Sequence, residues 1–160
     1  MIRKVNIKDL KDICNIYNYY VQNSISTFEE NNISITEMKE RLLESKLPCL
    51  VYENNTSIVG FAYLSKWKSR CSYRNSYEST IYLLQSETKK GIGYKLYKQL
   101  IEQSKYLNPH TIIGGISLPN ASSVKLHEKL GYTKVANFKE VGYKFNKWID
   151  VGYWQLIINN

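Results

Sequence analysis

A chain of 160 residues is the size of one ordinary domain and can bury a core without disulfides or a structural metal. A hydrophobic share of 43%, three prolines and no Gly/Ser-rich tract exclude a disordered or linker-dominated chain. The formal net charge of +8 favours anionic partners, namely nucleic acid, a membrane surface or a phosphate-rich cofactor, and does not choose among them.

Residues 2–6 alternate like an edge strand, and Asp9 is placed to cap a helix with apolar positions at Ile13, Ile16, Tyr17, Tyr20 and Val21. Ser34-Ile35-Thr36-Glu37 has the capping-box pattern and opens a shorter helix through Met38 and Leu42. The runs 49–53 and 58–64, separated by polar residues 54–57, predict a hairpin, and 79–84 a third strand. Gly91 and Gly93 then open a helix that turns Ile92, Leu96, Leu100 and Ile101 towards the core. Residues 111–117 predict another strand, and Asn120 caps a helix through Val124 and His127 that stops at Gly131. Residues 132–138 and the aromatic-rich 141–158 segment complete the chain as strands. Strand, two helices, three strands, helix, strand, helix, two strands predicts a single α+β, or mixed α/β, domain over residues 1–160 around one central sheet.

The start of the chain alternates polar and apolar residues instead of carrying a signal-peptide core, and no stretch approaches the length of a membrane span. A soluble cytoplasmic protein is expected. Cys14, Cys49 and Cys71 are far apart with no Cys-x-x-Cys pair, and read as small buried hydrophobes in a reducing compartment. His110 and His127 lack metal-ligand spacing, so no metal is expected.

Two constellations carry chemistry. Thr88-Lys89-Lys90-Gly91-Ile92-Gly93 lies between a strand and a helix, where glycines admit backbone N–H groups to an anion and the helix N-terminus suits a pyrophosphate. Lys89 and Lys90 strengthen that field. It is neither a Walker loop nor a complete dinucleotide fingerprint. The second, residues 120–132, reads Asn-Ala-Ser-Ser-Val-Lys-Leu-His-Glu-Lys-Leu-Gly-Tyr. In order and separation the pair resembles the acetyl-CoA signatures of the GCN5-related N-acetyltransferases (GNAT). Ser26-Thr27-Phe28-Glu29, Trp67-Lys68-Ser69-Arg70 with Tyr73, 78–82, 142–145 and Trp148 with 150–155 extend the likeness, over nearly the whole chain, to the phosphinothricin acetyltransferase branch. Thr88 stands where the wider superfamily usually has Arg or Gln, and His127 where it commonly has Tyr; the phosphinothricin branch has His there.

The resemblance implies a GNAT fold, a central and mostly antiparallel sheet with helices on both faces. It also implies transfer of acetyl from acetyl-CoA to the amino group of a small amino-acid-like acceptor, with a role in herbicide or antibiotic resistance. An amine attacks only when neutral, so a base must collect its proton. Glu78 is the first candidate, and His127 the second, as base or as acid to the CoA thiolate. Backbone N–H groups at Ile81, Tyr82 and Leu83 are the expected donors to the tetrahedral intermediate. The pyrophosphate falls to Thr88, Lys89, Lys90, Gly91, Ile92 and Gly93, and Asn120 heads the helix along the cofactor. Phe28, Lys68, Arg70 and Tyr73 match acceptor-pocket positions, where two cations and a phenol suit a small acid. Tyr143, Trp148, Tyr153 and Trp154 read as strand core or a subunit interface, and the branch implies a homodimer.

A methionine sulfoximine or sulfone acceptor is the nearest alternative. Outside the class, the 14 tyrosines and the positive charge would suit a nucleic-acid-binding module, although the aromatics fall at core-like periods. A non-catalytic acyl-CoA sensor is the third reading. Neither nucleic acid nor membrane is the expected partner.

Overall fold

The computed structural model describes residues 1–158. Seven strands and four α-helices appear in the predicted order: β1 (Ile2–Lys4), α1 (Leu10–Asn23), α2 (Ile35–Lys39), β2 (Cys49–Asn54), β3 (Ser57–Lys66), β4 (Ser76–Leu83), α3 (Ile92–Ser104), β5 (Thr111–Ser117), α4 (Ala121–Lys129), β6 (Thr133–Lys144) and β7 (Lys147–Ile157). Contacts divide the chain into two compact units, each assembled from separate stretches of sequence. Strand β4 passes from one to the other: Ser76, Tyr77 and Glu78 belong to the second and the remainder to the first.

The first unit holds residues 1–18, 33–65 and 79–108, with strand order β1-β2-β3-β4. Antiparallel pairing aligns Arg3 with Val51 and Val51 with Phe61, and β2 turns into β3 at Asn55-Thr56, where both residues take positive φ. Ile13, Ile16 and Tyr17 of α1, Leu50 and Phe61 of the strands, and Leu96 and Leu100 of α3 are buried, which is the predicted apolar face of each helix. Tyr20 and Ile101 are only half-buried. Ser34 and Glu37 form the expected capping box, and α2 continues as a π-turn over Glu40–Glu44 that carries Leu42 into the core.

Asp9 does not cap α1. Asn6 caps a 3-10 turn that leads into the helix, and Asp9 is the third residue of that capping box, accepting from the Asn6 N–H at 2.8 Å. Burial works to raise the Asp9 carboxyl, but Arg3, which donates to both of its oxygens at 2.8 Å, holds it below the usual carboxylate range.

The second unit holds residues 19–32, 66–78 and 109–160, with strand order β4-β5-β7-β6. Here β4 and β5 run parallel, Glu78 being the last β4 residue in register, opposite Ile113. The other registers that join β5 to β7 and β7 to β6 are antiparallel. Strand β4 begins three residues earlier than its hydrophobic run because Ser76 and Tyr77 pair with Thr111 and Ile112. Strand β6 also runs past the expected break at 139–140. Glu140 takes positive φ and gives its N–H to Asp150 Oδ1 at 2.8 Å, so the irregularity is a bulge, while the turn lies at Phe145-Asn146, both with positive φ. Gly131 closes α4 with φ 91°, as expected. Cys14 and Cys49 are buried, but Cys71 is exposed, in a 3-10 turn between β3 and β4 that the spacing did not show.

Candidate active site

In the first unit Gly91 is the N-cap of α3 and adopts φ 79°. Its side-chain position is open, and no side chain caps the helix, so the first N–H groups of a 13-residue helix keep the anion-binding character read from the sequence. Lys89 is exposed and takes positive φ. Lys90 is paired with Glu87 at 3.0 Å, so its charge is shared, and the Thr88 hydroxyl donates to the Gln85 carbonyl at 2.8 Å. Ile92 and Gly93 are buried in the first turn, and Ile81, Tyr82 and Leu83 end β4. An uncapped helix behind a left-handed glycine fits a pyrophosphate.

In the second unit the Gly114-Gly115 pair of β5 organises the side chains. Successive strand residues face opposite sides of a sheet. A Cβ at Gly115 would lie 3.2 Å from Tyr153 Cε1 and 3.5 Å from Glu78 Oε1, whereas one at Gly114 would fall on His127 Nε2 and lie 2.6 Å from His127 Cδ2. Glu78 and Tyr153 therefore share one face of β5, and His127 lies on the other. Gly115 is exposed although it sits within a paired strand, so solvent reaches the backbone between Tyr153 and Glu78.

Glu78 is half-buried. Burial pushes its carboxyl above the usual carboxylate range, and the positive charge of Lys68 opposes the shift without cancelling it. Lys68 is exposed, its Nζ 5.1 Å from the Trp67 ring centroid, and Trp67 meets Tyr153 edge-on with centroids 5.5 Å apart. Arg70 and Tyr73 lie on the exposed segment after Lys68, where Arg70 precedes the 3-10 turn and its carbonyl accepts from the Tyr73 N–H at 3.0 Å.

His127 is buried, with Nδ1 2.8 Å from the Ser123 carbonyl. A carbonyl only accepts, so the proton sits on Nδ1 and Nε2 carries the lone pair. Burial lowers its proton affinity below the ordinary value near 6.5, while the Ser123 hydrogen bond works the other way. In the unfolded chain the imidazole protonates at higher pH than in the folded one. Its contribution to stability is therefore complete above about pH 6.5 and is lost as the pH falls below it. Urea unfolding between pH 7.5 and 5.0 is expected to weaken the wild type more steeply than His127→Asn, by up to about 1.4 kcal/mol per pH unit. Equal slopes would mean that the folded imidazole titrates normally.

Phe28 is exposed on the loop between α1 and α2, which is held by groups that the periodicity did not single out. Lys144, buried in β6, donates from Nζ to the Ser24 and Thr27 carbonyls, each at 2.8 Å, and Asn120 Nδ2 reaches Ser26 Oγ at 3.5 Å. A Cβ at Gly142 would collide with the Phe28 ring, so that glycine seats the aromatic. Asn120 caps α4 as expected, accepting from the Ser123 N–H at 3.1 Å. Phe28 and Asn120 thus meet the same short loop, and Lys68 and Glu78 interact electrostatically. Trp154 is buried core, Tyr143 and Trp148 are exposed, and Tyr153 lines the space above Gly115. The signal for that space was the glycine doublet inside a strand, which marks close approach of other groups to the backbone.

Residues 2–152 match the family described as "Acetyltransferase (GNAT) domain". The chain is 35% identical to a phosphinothricin N-acetyltransferase of Streptomyces viridochromogenes over 156 residues, covering 96% of this chain and 85% of that one. It is 31% identical to an L-methionine sulfoximine/L-methionine sulfone acetyltransferase of Salmonella typhimurium over 159 residues, covering 97% and 92%. Among solved structures, a GNAT superfamily phosphinothricin acetyltransferase from Sinorhizobium meliloti in complex with acetyl-CoA superposes with a TM-score of 0.94 at 29% identity, covering 99% of this chain and 88% of that one. The mixed α/β architecture with its mostly antiparallel sheet is the GNAT fold, and the chain belongs to the GNAT acetyltransferase family.

Proposed function

We propose that this protein, acting as one catalytic domain over residues 1–160, moves acetyl from acetyl-CoA to the amino group of a small amino-acid-like acceptor of the phosphinothricin type. The observation that carries the reading is the exposed backbone at Gly115, beside a partly desolvated carboxylate, Glu78, with a cation, Lys68, acting on it. Relatives named for phosphinothricin and for methionine sulfoximine and sulfone support an acceptor that carries an amine, a carboxylate and a second polar group.

Acetyl-CoA supplies the activated acyl group when bound. Thr88, Lys89, Lys90, Gly91, Ile92 and Gly93 hold its pyrophosphate, the backbone at Ile81, Tyr82 and Leu83 serves its acyl end, and Asn120 heads the helix beside it. Lys68 and Arg70 bind the acceptor's acidic groups, with Phe28 and Tyr73 as walls. Glu78 takes the proton that the amine must lose. The neutral amine nitrogen then bonds to the acetyl carbon, the carbon–sulfur bond breaks, and the thiolate leaves as free thiol with the second proton that the nitrogen sheds. Glu78 is favoured over His127 as the base because it is only half-buried and lies beside the exposed Gly115, whereas the imidazole is buried against Gly114 on the other face of β5.

The finer reading is a cytoplasmic homodimer with a detoxifying, resistance-conferring activity. Val135, Val141, Tyr143 and Trp148, all exposed on the β6–β7 hairpin, suit a second copy of the chain. No described helix is long and apolar enough to cross a membrane.

Thiol release from acetyl-CoA with phosphinothricin, methionine sulfoximine, methionine sulfone and the common amino acids tests the reading. Turnover on at least one of the three analogues, well above that on the common amino acids, is expected. Selective turnover on the two methionine derivatives moves the assignment to the alternative acceptor, and CoA binding with no turnover on any amine sinks the enzymatic reading in favour of an acyl-CoA sensor.

A further inference from the structure

Tyr153 occupies an unusual place for a strand aromatic. It is the register partner of Gly115, only half-buried, and its ring edge shares the vacant side-chain position over Gly115 with a Glu78 carboxylate oxygen. The ring is fixed from two other sides. Trp67 meets it at 78° and Phe138 at 71°, each with centroids 5.5 Å apart. Two aromatics from two other segments hold that ring edge beside one carboxylate, at a place where the backbone itself is exposed.

We propose that Tyr153 is a positioning residue for acetyl transfer: its ring covers the Glu78 carboxylate over Gly115 and keeps water from it, leaving the base ready to take the proton of the acceptor amine. The inference rests on the reading of Glu78 as that base. A well-hydrated carboxylate is a poor base at neutral pH, and removing water raises its affinity for a proton towards the working range. Lys68, after β3, pulls the carboxyl down, Gly115 on β5 contributes no side chain, and Tyr153 on β7 is the apolar cover. Burial and the nearby Glu78 charge push the Tyr153 phenol above its ordinary value, so it stays neutral and adds no charge. The useful part of Tyr153 is therefore the ring, not the hydroxyl.

The experiment compares wild type, Tyr153→Phe, Tyr153→Val and Glu78→Gln from pH 5.5 to 9, following kcat/KM with one acceptor and the NMR titration of the Glu78 side-chain carboxyl in the full chain. Ionisation of the acceptor amine is common to all four and cancels in the comparison. Tyr153→Phe is expected to keep the wild-type carboxyl midpoint. Tyr153→Val is expected to lower that midpoint by about one pH unit and to reduce limiting kcat about tenfold, with the KM for acetyl-CoA within about twofold. A wild-type carboxyl titration in folded Tyr153→Val overturns the proposal even if turnover falls, because a purely structural role lowers rate without moving the titration. Wild-type turnover in Glu78→Gln instead overturns the reading of Glu78 as base, and is distinguishable because the carboxyl titration of Tyr153→Val is read without turnover.

Discussion

Glu78→Gln is expected to lower kcat for amine acetylation by about 10²- to 10⁴-fold, the usual contribution of a positioned base, while acetyl-CoA binding changes by less than about twofold. The amide matches the carboxylate in size but cannot take a proton, and the helix N-terminus at Gly91 is untouched. Stability should move the other way. Burial holds the folded Glu78 carboxyl above its ordinary value, so the folded state binds this proton more tightly than the unfolded chain does. That preference favours the folded state below the ordinary carboxylate range and is lost as the pH rises through the raised value. At a pH above that raised value the half-buried carboxylate is ionised and opposes folding, and there the glutamine variant should melt no lower than wild type. Steady-state kinetics, acetyl-CoA titration and a thermal melt on one preparation check all three. A variant that keeps more than a tenth of the wild-type kcat, or that loses activity only because it melts early, rules out Glu78 as the base.

Most of the fold was written in local signals. Ser34 with Glu37, Asn120 before α4 and Gly131 after it are cap chemistries that act within four residues, so the sequence alone could place them. Asp9 misled because Asn6 and Asp9 make a reciprocal pair, and either could have been the cap. The bulge at Glu140 escaped because its cause is remote: the N–H of Glu140 goes to Asp150 on the neighbouring strand. Its length of chain resembles a turn until that partner is known.

The site divides along the same line. The loop proposed for the pyrophosphate is a contiguous run, legible as soon as Gly91 is read against the helix that follows. The proposed acceptor side draws on Phe28, Lys68, Glu78, Gly115, Gly142, Lys144 and Tyr153 from across the chain, and periodicity carries no information about which strand neighbours which. Resemblance to a family supplied the first three. The others depend on register, which pairs Gly115 with Tyr153, and on a buried lysine whose partners are backbone carbonyls 117 and 120 residues away.

The adjacent glycines of β5 should fail in opposite ways. Gly114 lies in ordinary extended strand, where alanine is intrinsically no worse than glycine, so any loss in Gly114→Ala comes from collision with the buried His127 ring. That ring is held by the Ser123 carbonyl and by edge-on contact with Tyr132 at 5.1 Å, so it cannot yield freely, and a loss of about 2–4 kcal/mol is expected. His127→Ala removes the obstacle at the cost of a cavity, and a methyl at residue 114 then occupies part of it. The double variant should thus be more stable than the sum of the single losses predicts, by about 1–3 kcal/mol. Gly115→Ala places its methyl between Tyr153 and Glu78, 3.2 Å from the edge of a half-buried ring, so a shift of a few tenths of an ångström accommodates it. Its melting point should stay within a few degrees of wild type, while the KM for the acceptor rises at least about tenfold because the methyl fills the acceptor's place. Denaturant unfolding of the double-mutant cycle and kinetics of Gly115→Ala measure the two halves separately. Additive losses in the cycle would remove His127 from above Gly114, and an unchanged acceptor KM would move the amine away from Gly115 and, with it, from Glu78.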